Sequence, residues 1–344
     1  MKLKKIKKSR GMQTSMKVSD IRPEKMIKES SKLWADDSAR ILAHRKRFVD
    51  VDCPACMSKR RRPAFKKGGF DFVECADCET LFITPRPTFE LLVKEHYSVS
   101  ESATQWNDVL KATEKVRRKK IFAPRAALIA KLCEKYGASK NSIVDVGTGI
   151  GTFCEEIKKL KIFKKVIAVE PTARGAEICR QKGIETIEKP VEEAELKNVG
   201  VITNFELIEH LFCPGDFLAA CAQALQKNGL FIVTTPNIKG FDLITLKGIS
   251  ENVAGVEHLN YFNPKSLSIL LERSGFKVEE FLTPGKLDAE LVRIKALAKE
   301  FDVSAHPFLK YILIDEWERV GAKFQKFLAA NGLSSHMWVV ARKK

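Results

Sequence analysis

From Ser142 onward the chain alternates short apolar runs with amphipathic stretches. Short runs rich in Val, Ile and Phe read as buried strands; apolar residues spaced three and four apart read as helices. The pattern predicts strands over 142–147, 165–170, 184–187, 199–205, 230–235, 276–283 and 337–341. Helices are expected over 150–161, 172–182, 214–227 and 264–274. Pro214 suits a helix start and Gly275 a helix stop. Strands alternating with helices predict an α/β fold, a parallel sheet with helices on both faces. About 50 largely helical residues, 284–335, separate the last two strands. They suit a lid, a homodimer surface or part of a substrate pocket.

The front of the chain reads differently. Residues 1–22 lack periodicity and are expected to be disordered. A helix should run from Pro23 to about His44, with further helices over 88–98 and 107–136. The expected division is a basic tail and helix (1–47), a compact cysteine module (48–87), a helical linker (88–136) and the α/β domain (137–344).

Composition narrows the class. At 344 residues and 44% hydrophobic content the chain can bury a large core. No run approaches the ~18 apolar residues of a membrane span, and no apolar segment follows the basic N-terminus as in a secretory signal. Nine cysteines, four of them in C-x-x-C pairs, fit a reducing cytoplasm. The net charge of +17 is uneven: residues 1–68 carry 21 Lys/Arg against 7 Asp/Glu. That front end could meet an anionic partner such as nucleic acid, but a solvated tail is the favoured reading.

Cys53, Cys56, Cys75 and Cys78 form C-x2-C-x18-C-x2-C. Each pair makes a knuckle presenting two thiolates, and the spacer is long enough for a hairpin that brings the knuckles together. Four soft sulfurs in tetrahedral array suit structural zinc with no open position.

The stretch Ile143 to Phe153 carries Asp145, Gly147, Thr148, Gly149 and Gly151. It reads as a buried strand, a glycine turn that lets backbone approach a bulky ligand, and a helix. The next strand ends in Glu170, placed to accept ribose hydroxyls. Together these resemble the cofactor site of class I S-adenosylmethionine-dependent methyltransferases. A nicotinamide enzyme would space its glycines G-x-G-x-x-G. The resemblance implies a Rossmann-like sheet, S-adenosylmethionine as cofactor, and Asn204, Phe205 and Glu206 approaching it after the fourth strand. Residues 72–87, with Thr84-Pro85-Arg86-Pro87 and then Tyr97, resemble the zinc-ribbon-like module fused to methyltransferases of saccharide and secondary-metabolite pathways. The 284–335 insertion departs from the tight connection usual in class I.

On the acceptor side, Glu206 and His210 follow the fourth strand, and Glu257-His258-Leu259-Asn260-Tyr261-Phe262 follows the fifth. His258, His210 and Tyr261 are the candidate catalytic residues, His258 first, because imidazole titrates near neutrality. The expected function is methylation of a small molecule, a sugar or sugar nucleotide, at O, N or C. The alternatives are an RNA methyltransferase using the basic zinc module, and a non-catalytic protein that senses the cofactor.

Overall fold

The computed structural model describes residues 16–97 and 99–344. Most of the expected N-terminal disorder, residues 1–15, lies outside the described residues. Val18–Ile21 inside that span is a helical turn, pinned where Val18 N donates to Glu290 and Arg117 donates to the Ile21 carbonyl.

Seven strands form the large sheet: β4 (Ser142–Val146), β5 (Lys165–Val169), β6 (Glu185–Ile187), β7 (Val199–Phe205), β8 (Leu225–Pro236), β10 (Phe276–Leu282) and β11 (His336–Lys343). Their spatial order is β10-β11-β8-β7-β4-β5-β6. All neighbours run parallel except β11, which lies antiparallel between β8 and β10. The order reverses between β4 and β7, so their carboxyl ends splay into the crevice where such sheets bind ligands. Helices Thr152–Lys159 and Ala173–Gln181 follow β4 and β5; Pro214–Ala224 follows β7. This is the expected Rossmann-like α/β fold. β8 starts five residues earlier than the apolar run indicated, at Leu225.

A smaller sheet joins β1 (Arg61–Lys67), β2 (Phe70–Cys75), β3 (Leu81–Ile83) and β9 (Asn260–Tyr261) in that order. The first three belong to the cysteine module. The fourth comes from the loop after β8, with Leu81 opposite Tyr261 and Phe82 opposite Asn260. Module and domain also share a core: Cys53, Cys75 and Phe82 pack in one cluster with Phe262, Leu267 and Leu271. The module is therefore continuous with the loop carrying His258.

Glu24–Leu42 packs on Glu101–Arg117, which a wide turn separates from Ala123–Lys135. The expected 107–136 helix is thus two. The insertion holds helices Asp288–Leu297 and Trp317–Ala330, packed on a helix over Phe241–Leu246 that the sequence pattern did not indicate. Among the described residues no helix is long and apolar enough to cross a membrane.

Candidate active site

The glycine turn sits at the carboxyl end of β4. Gly147, Gly149 and Gly151 all have left-handed φ, at 72°, 59° and 71°. A Cβ on Gly147 would meet Leu207 at 2.7 Å, whereas one on Gly149 would enter open space. Gly149 thus forms an open cradle. Glu170 lies directly over it: one carboxylate oxygen accepts from Gly149 N at 2.9 Å, the other from Thr172 N and Oγ1 at 3.0 and 2.5 Å. Thr148 approaches Cys154 Sγ at 3.4 Å. Asp145 is buried within the strand and accepts from Thr203 Oγ1 at 2.7 Å; burial pushes its carboxyl up to about 6.

Asn204 closes the switch point. Its Nδ2 donates to the Val146 carbonyl at 3.0 Å, while its buried Oδ1 has no partner among the described residues. A buried amide oxygen left unpaired costs about 1–3 kcal/mol, and a ligand ammonium would satisfy it. Phe205 stacks edge-on against Phe153, with ring centroids 4.8 Å apart. Arg125, unremarked in the sequence, lays its guanidinium 4.1 Å from the Phe205 centroid and 5.7 Å from that of Trp338. Arg125 is 9% exposed and forms no ion pair within the described residues, though Glu206 and Asp145 act on it at longer range. A buried cation in an aromatic cage is suited to a ligand carboxylate.

The acceptor side is a polar wall. Glu206 ends β7 with a left-handed φ of 53°, accepts from Thr234 Oγ1 at 2.6 Å, and lies 3.2 Å from His336 Nδ1. Partial desolvation works to raise its carboxyl, but the side chain is 41% exposed, and His336, then Thr234, hold it well below the usual range. Glu209 is fully buried. Its Oε2 accepts from Thr235 at 3.0 Å, its Oε1 has no hydrogen-bond partner among the described residues, and His210 Nε2 lies 4.0 Å from Oε1. His210 and His258 meet edge to face, with centroids 4.6 Å apart. His96 is buried 3.4 Å from Glu257.

His258 donates through Nδ1 to the Asn252 carbonyl, 3.1 Å away. Burial, then neighbouring His210, depresses its imidazole to about 3. An imidazole so depressed stays neutral at pH 7 and accepts a proton only weakly. Tyr261 corrects the sequence reading further. It is fully buried in β9, its hydroxyl accepting from Ala254 N at 2.8 Å and donating to the Asn252 carbonyl at 3.2 Å. The hydroxyl braces the 252–254 turn, with its proton committed to the Asn252 carbonyl. Tyr97, whose side chain lies outside the described residues, adds nothing here.

Arg86 joins the module to this wall. It is 3% exposed, donates to Asn260 Oδ1 at 3.0 Å and to the Phe212 carbonyl at 3.1 Å, and covers the Phe212 ring. These bonds reach both loops that carry the histidines.

In the module, Cys53 and Cys78 Sγ lie 3.4 Å apart and Cys56 and Cys75 3.5 Å; all four lie within 4.8 Å of one another. Tetrahedral zinc with bonds near 2.3 Å would set sulfurs about 3.8 Å apart, so the four thiols fit one ion. Met57 and Glu79, each following the second cysteine of a knuckle, share a left-handed φ of about 60°. The two knuckles are copies of one turn.

Comparison with known proteins agrees with this geometry. Residues 115–280 match the family model described as a methyltransferase domain. An 85-residue stretch is 35% identical to a probable S-adenosylmethionine-dependent methyltransferase of Mycolicibacterium smegmatis, covering 25% of this chain and 31% of that one. The ubiquinone biosynthesis O-methyltransferase of Brucella anthropi is 26% identical over 69% of this chain and 92% of its own. Against its counterpart in Rhodopseudomonas palustris the chain spans 66% of the relative's length. A solved S-adenosylmethionine-dependent methyltransferase from Clostridium acetobutylicum superposes with a TM-score of 0.42 at 11% identity, covering 52% of this chain and 90% of that one.

Proposed function

We propose that this chain, which carries a class I S-adenosylmethionine-dependent methyltransferase domain across residues 115–280, methylates an oxygen of a small polyhydroxylated acceptor, a sugar or sugar nucleotide. The observation that carries the acceptor class is the polar wall: Glu206, His210, Glu257, His258 and His336 cluster at the carboxyl edge beside Asn204. Hydroxyl groups match such a wall; burying these groups against an apolar acceptor would leave them without partners. The O-methyltransferase names of the relatives favour oxygen as the nucleophile.

The residues divide the work. Glu170 accepts the ribose hydroxyls at the end of β5. Asn204 Oδ1 and Arg125 take the ammonium and carboxylate of the methionine part. When bound, the cofactor supplies a sulfonium whose methyl leaves a neutral thioether. Glu206, ionised and held by His336 and Thr234, orients an acceptor hydroxyl by accepting its hydrogen bond. Methyl transfer needs the nucleophile in line and water excluded more than it needs a strong base. Cys53, Cys56, Cys75 and Cys78 hold one structural zinc, which stabilises a module too small to fold on its own core.

The RNA alternative draws on the basic front end. The charges of β1 and its flanks are largely answered within the module: Arg60 by Asp77, Arg61 by Asp50, Arg62 by Glu74 and Lys66 by Asp71. That pairing favours a solvated surface over a phosphate track. Incubation with labelled S-adenosylmethionine and separate panels of nucleotide sugars and RNA tests the choice. Label should reach a sugar and be insensitive to salt. Label in RNA alone, lost steeply as salt rises, would overturn the reading.

A further inference from the structure

The polar wall holds a group that neither cofactor binding nor hydroxyl orientation uses. Glu209, His210 and His258 each bring one ligand atom into a space where all three lie within 4.8 Å of one another. Glu209 is fully buried, yet its Oε1 has no hydrogen-bond partner among the described residues and lies 4.0 Å from His210 Nε2. A buried carboxyl oxygen left without a partner is costly, and a cation in this space would match it.

The surrounding contacts have the form that metal ligands take. Ligating histidines hold the second ring nitrogen on a carbonyl or carboxylate, and ligating carboxylates are themselves hydrogen-bonded. His258 keeps Nδ1 on the Asn252 carbonyl at 3.1 Å, which turns Nε2 the other way. The His210 ring is set by the Glu257 backbone. Glu209 keeps Oε2 on Thr235 at 3.0 Å. A second triad, Asp37, His96 and Glu257, is equally close. There Asp37 already accepts from Ser100, Ser102 and Arg40, so its oxygens are occupied by protein donors and it serves structure.

We propose that Glu209, His210 and His258 bind one divalent first-row transition-metal ion, separate from the four-thiolate zinc. Two imidazoles and one carboxylate suit Mn2+, Fe2+, Co2+ or Zn2+ and leave coordination positions open. His210, with 30% of its side chain exposed, marks the open side. Two of the three ligands, Glu209 and His210, lie three and four residues beyond Glu206 on the same loop at the carboxyl edge. An acceptor with neighbouring hydroxyls would ligate there through oxygen, and the ion would lower the pKa of the bound hydroxyl. This last role rests on the methyltransferase reading; the binding itself does not.

The test uses the zinc-loaded full chain and Mn2+ as probe, read by electron paramagnetic resonance with S-adenosylmethionine calorimetry on the same sample. Wild type should bind one Mn2+ per chain. His258→Ala and His210→Ala should each weaken it by at least about tenfold, with zinc content and cofactor affinity retained as evidence of folding. Should a histidine variant fail to fold, Thr235→Val, which strips the bond orienting Glu209, gives a milder second loss. Wild type without bound Mn2+, or unchanged affinity in the folded histidine variants, overturns the proposal. Cofactor binding without Mn2+ removes the ion and leaves the methyltransferase; Mn2+ binding without cofactor removes the methyltransferase reading and leaves the ion.

Discussion

Nδ1 of His336 lies 3.2 Å from Oε1 of Glu206, across the carboxyl edge of the sheet. Nε2 of the same ring accepts the indole N–H of Trp338 at 2.8 Å. That donor occupies Nε2 and leaves the Nδ1 proton directed at Glu206. His336 and Trp338 are two apart on β11, so the pleat puts them on one face. The antiparallel placement of β11 beside β8 sets Trp338 opposite Thr234, which also donates to Glu206.

Glu206→Gln should therefore slow methyl transfer with little change in cofactor affinity. A hydrogen bond to a charged acceptor contributes about 1.5–3 kcal/mol, or roughly 10–100-fold in rate. His336→Phe should give a smaller loss in the same direction, because Thr234 still holds the carboxylate. Steady-state kinetics with separate cofactor titration decides; an unchanged rate in Glu206→Gln would remove the carboxylate from the reaction.

Arg125→Leu keeps the aromatic cage filled but removes its cation. The KM for S-adenosylmethionine should rise roughly 10–100-fold, since a charge-assisted bond to the ligand carboxylate is lost. Arg125→Lys should recover only part of it, because an ammonium lacks the planar fork and stacks less well on Phe205. Calorimetry on both variants checks the order.

Cys53→Ser should release the zinc ion and, through the shared sheet, loosen the loop that carries His258. β9 pairs with β3, and Arg86 holds Asn260 and Phe212. Hydrogen exchange should accelerate over 252–263 as well as 48–87, while the turn from Gly147 to Gly151 keeps its protection and cofactor binding stays measurable. Exchange confined to the module would show that the two parts are mechanically separate.

Asp242 gives a stability prediction with a definite sign. Burial, then nearby Asp288, raises its carboxyl from 3.8 to about 7 in the folded state. Below about pH 4 both folded and unfolded chains hold the proton. Between the two values only the folded chain holds it, so stability falls as pH rises, by about 1.4 kcal/mol per unit and on the order of 4 kcal/mol across the window. Asp242→Asn should remove its own share of the fall between about pH 6 and 7; Glu209, whose carboxyl burial also holds well above its usual range, keeps a share there. Below 6 the variant should leave a remnant from Asp145, which burial raises to about 6. Urea unfolding at a series of pH values measures both.

What the sequence determined by itself is what depends on neighbours along the chain. The succession of strands and helices along the chain needed only the alternation of short apolar runs and amphipathic stretches. The cradle needed only glycines at 147, 149 and 151, because left-handed φ is a property of the local backbone. The thiolate cluster needed only the spacing of two identical knuckles. Tertiary structure decided everything that depends on which strands lie side by side. Tyr261 looked accessible in a loop, yet pairing with Leu81 buries it. His258 looked like a base, yet burial against His210 strips its basicity. His336 and Arg125 carry no motif: one reaches Glu206 because β11 turns antiparallel into the sheet, the other because its helix lays it on Phe205 and Trp338. Contacts between residues tens to more than a hundred positions apart leave no periodic trace in the chain, and the polar wall is made of such contacts.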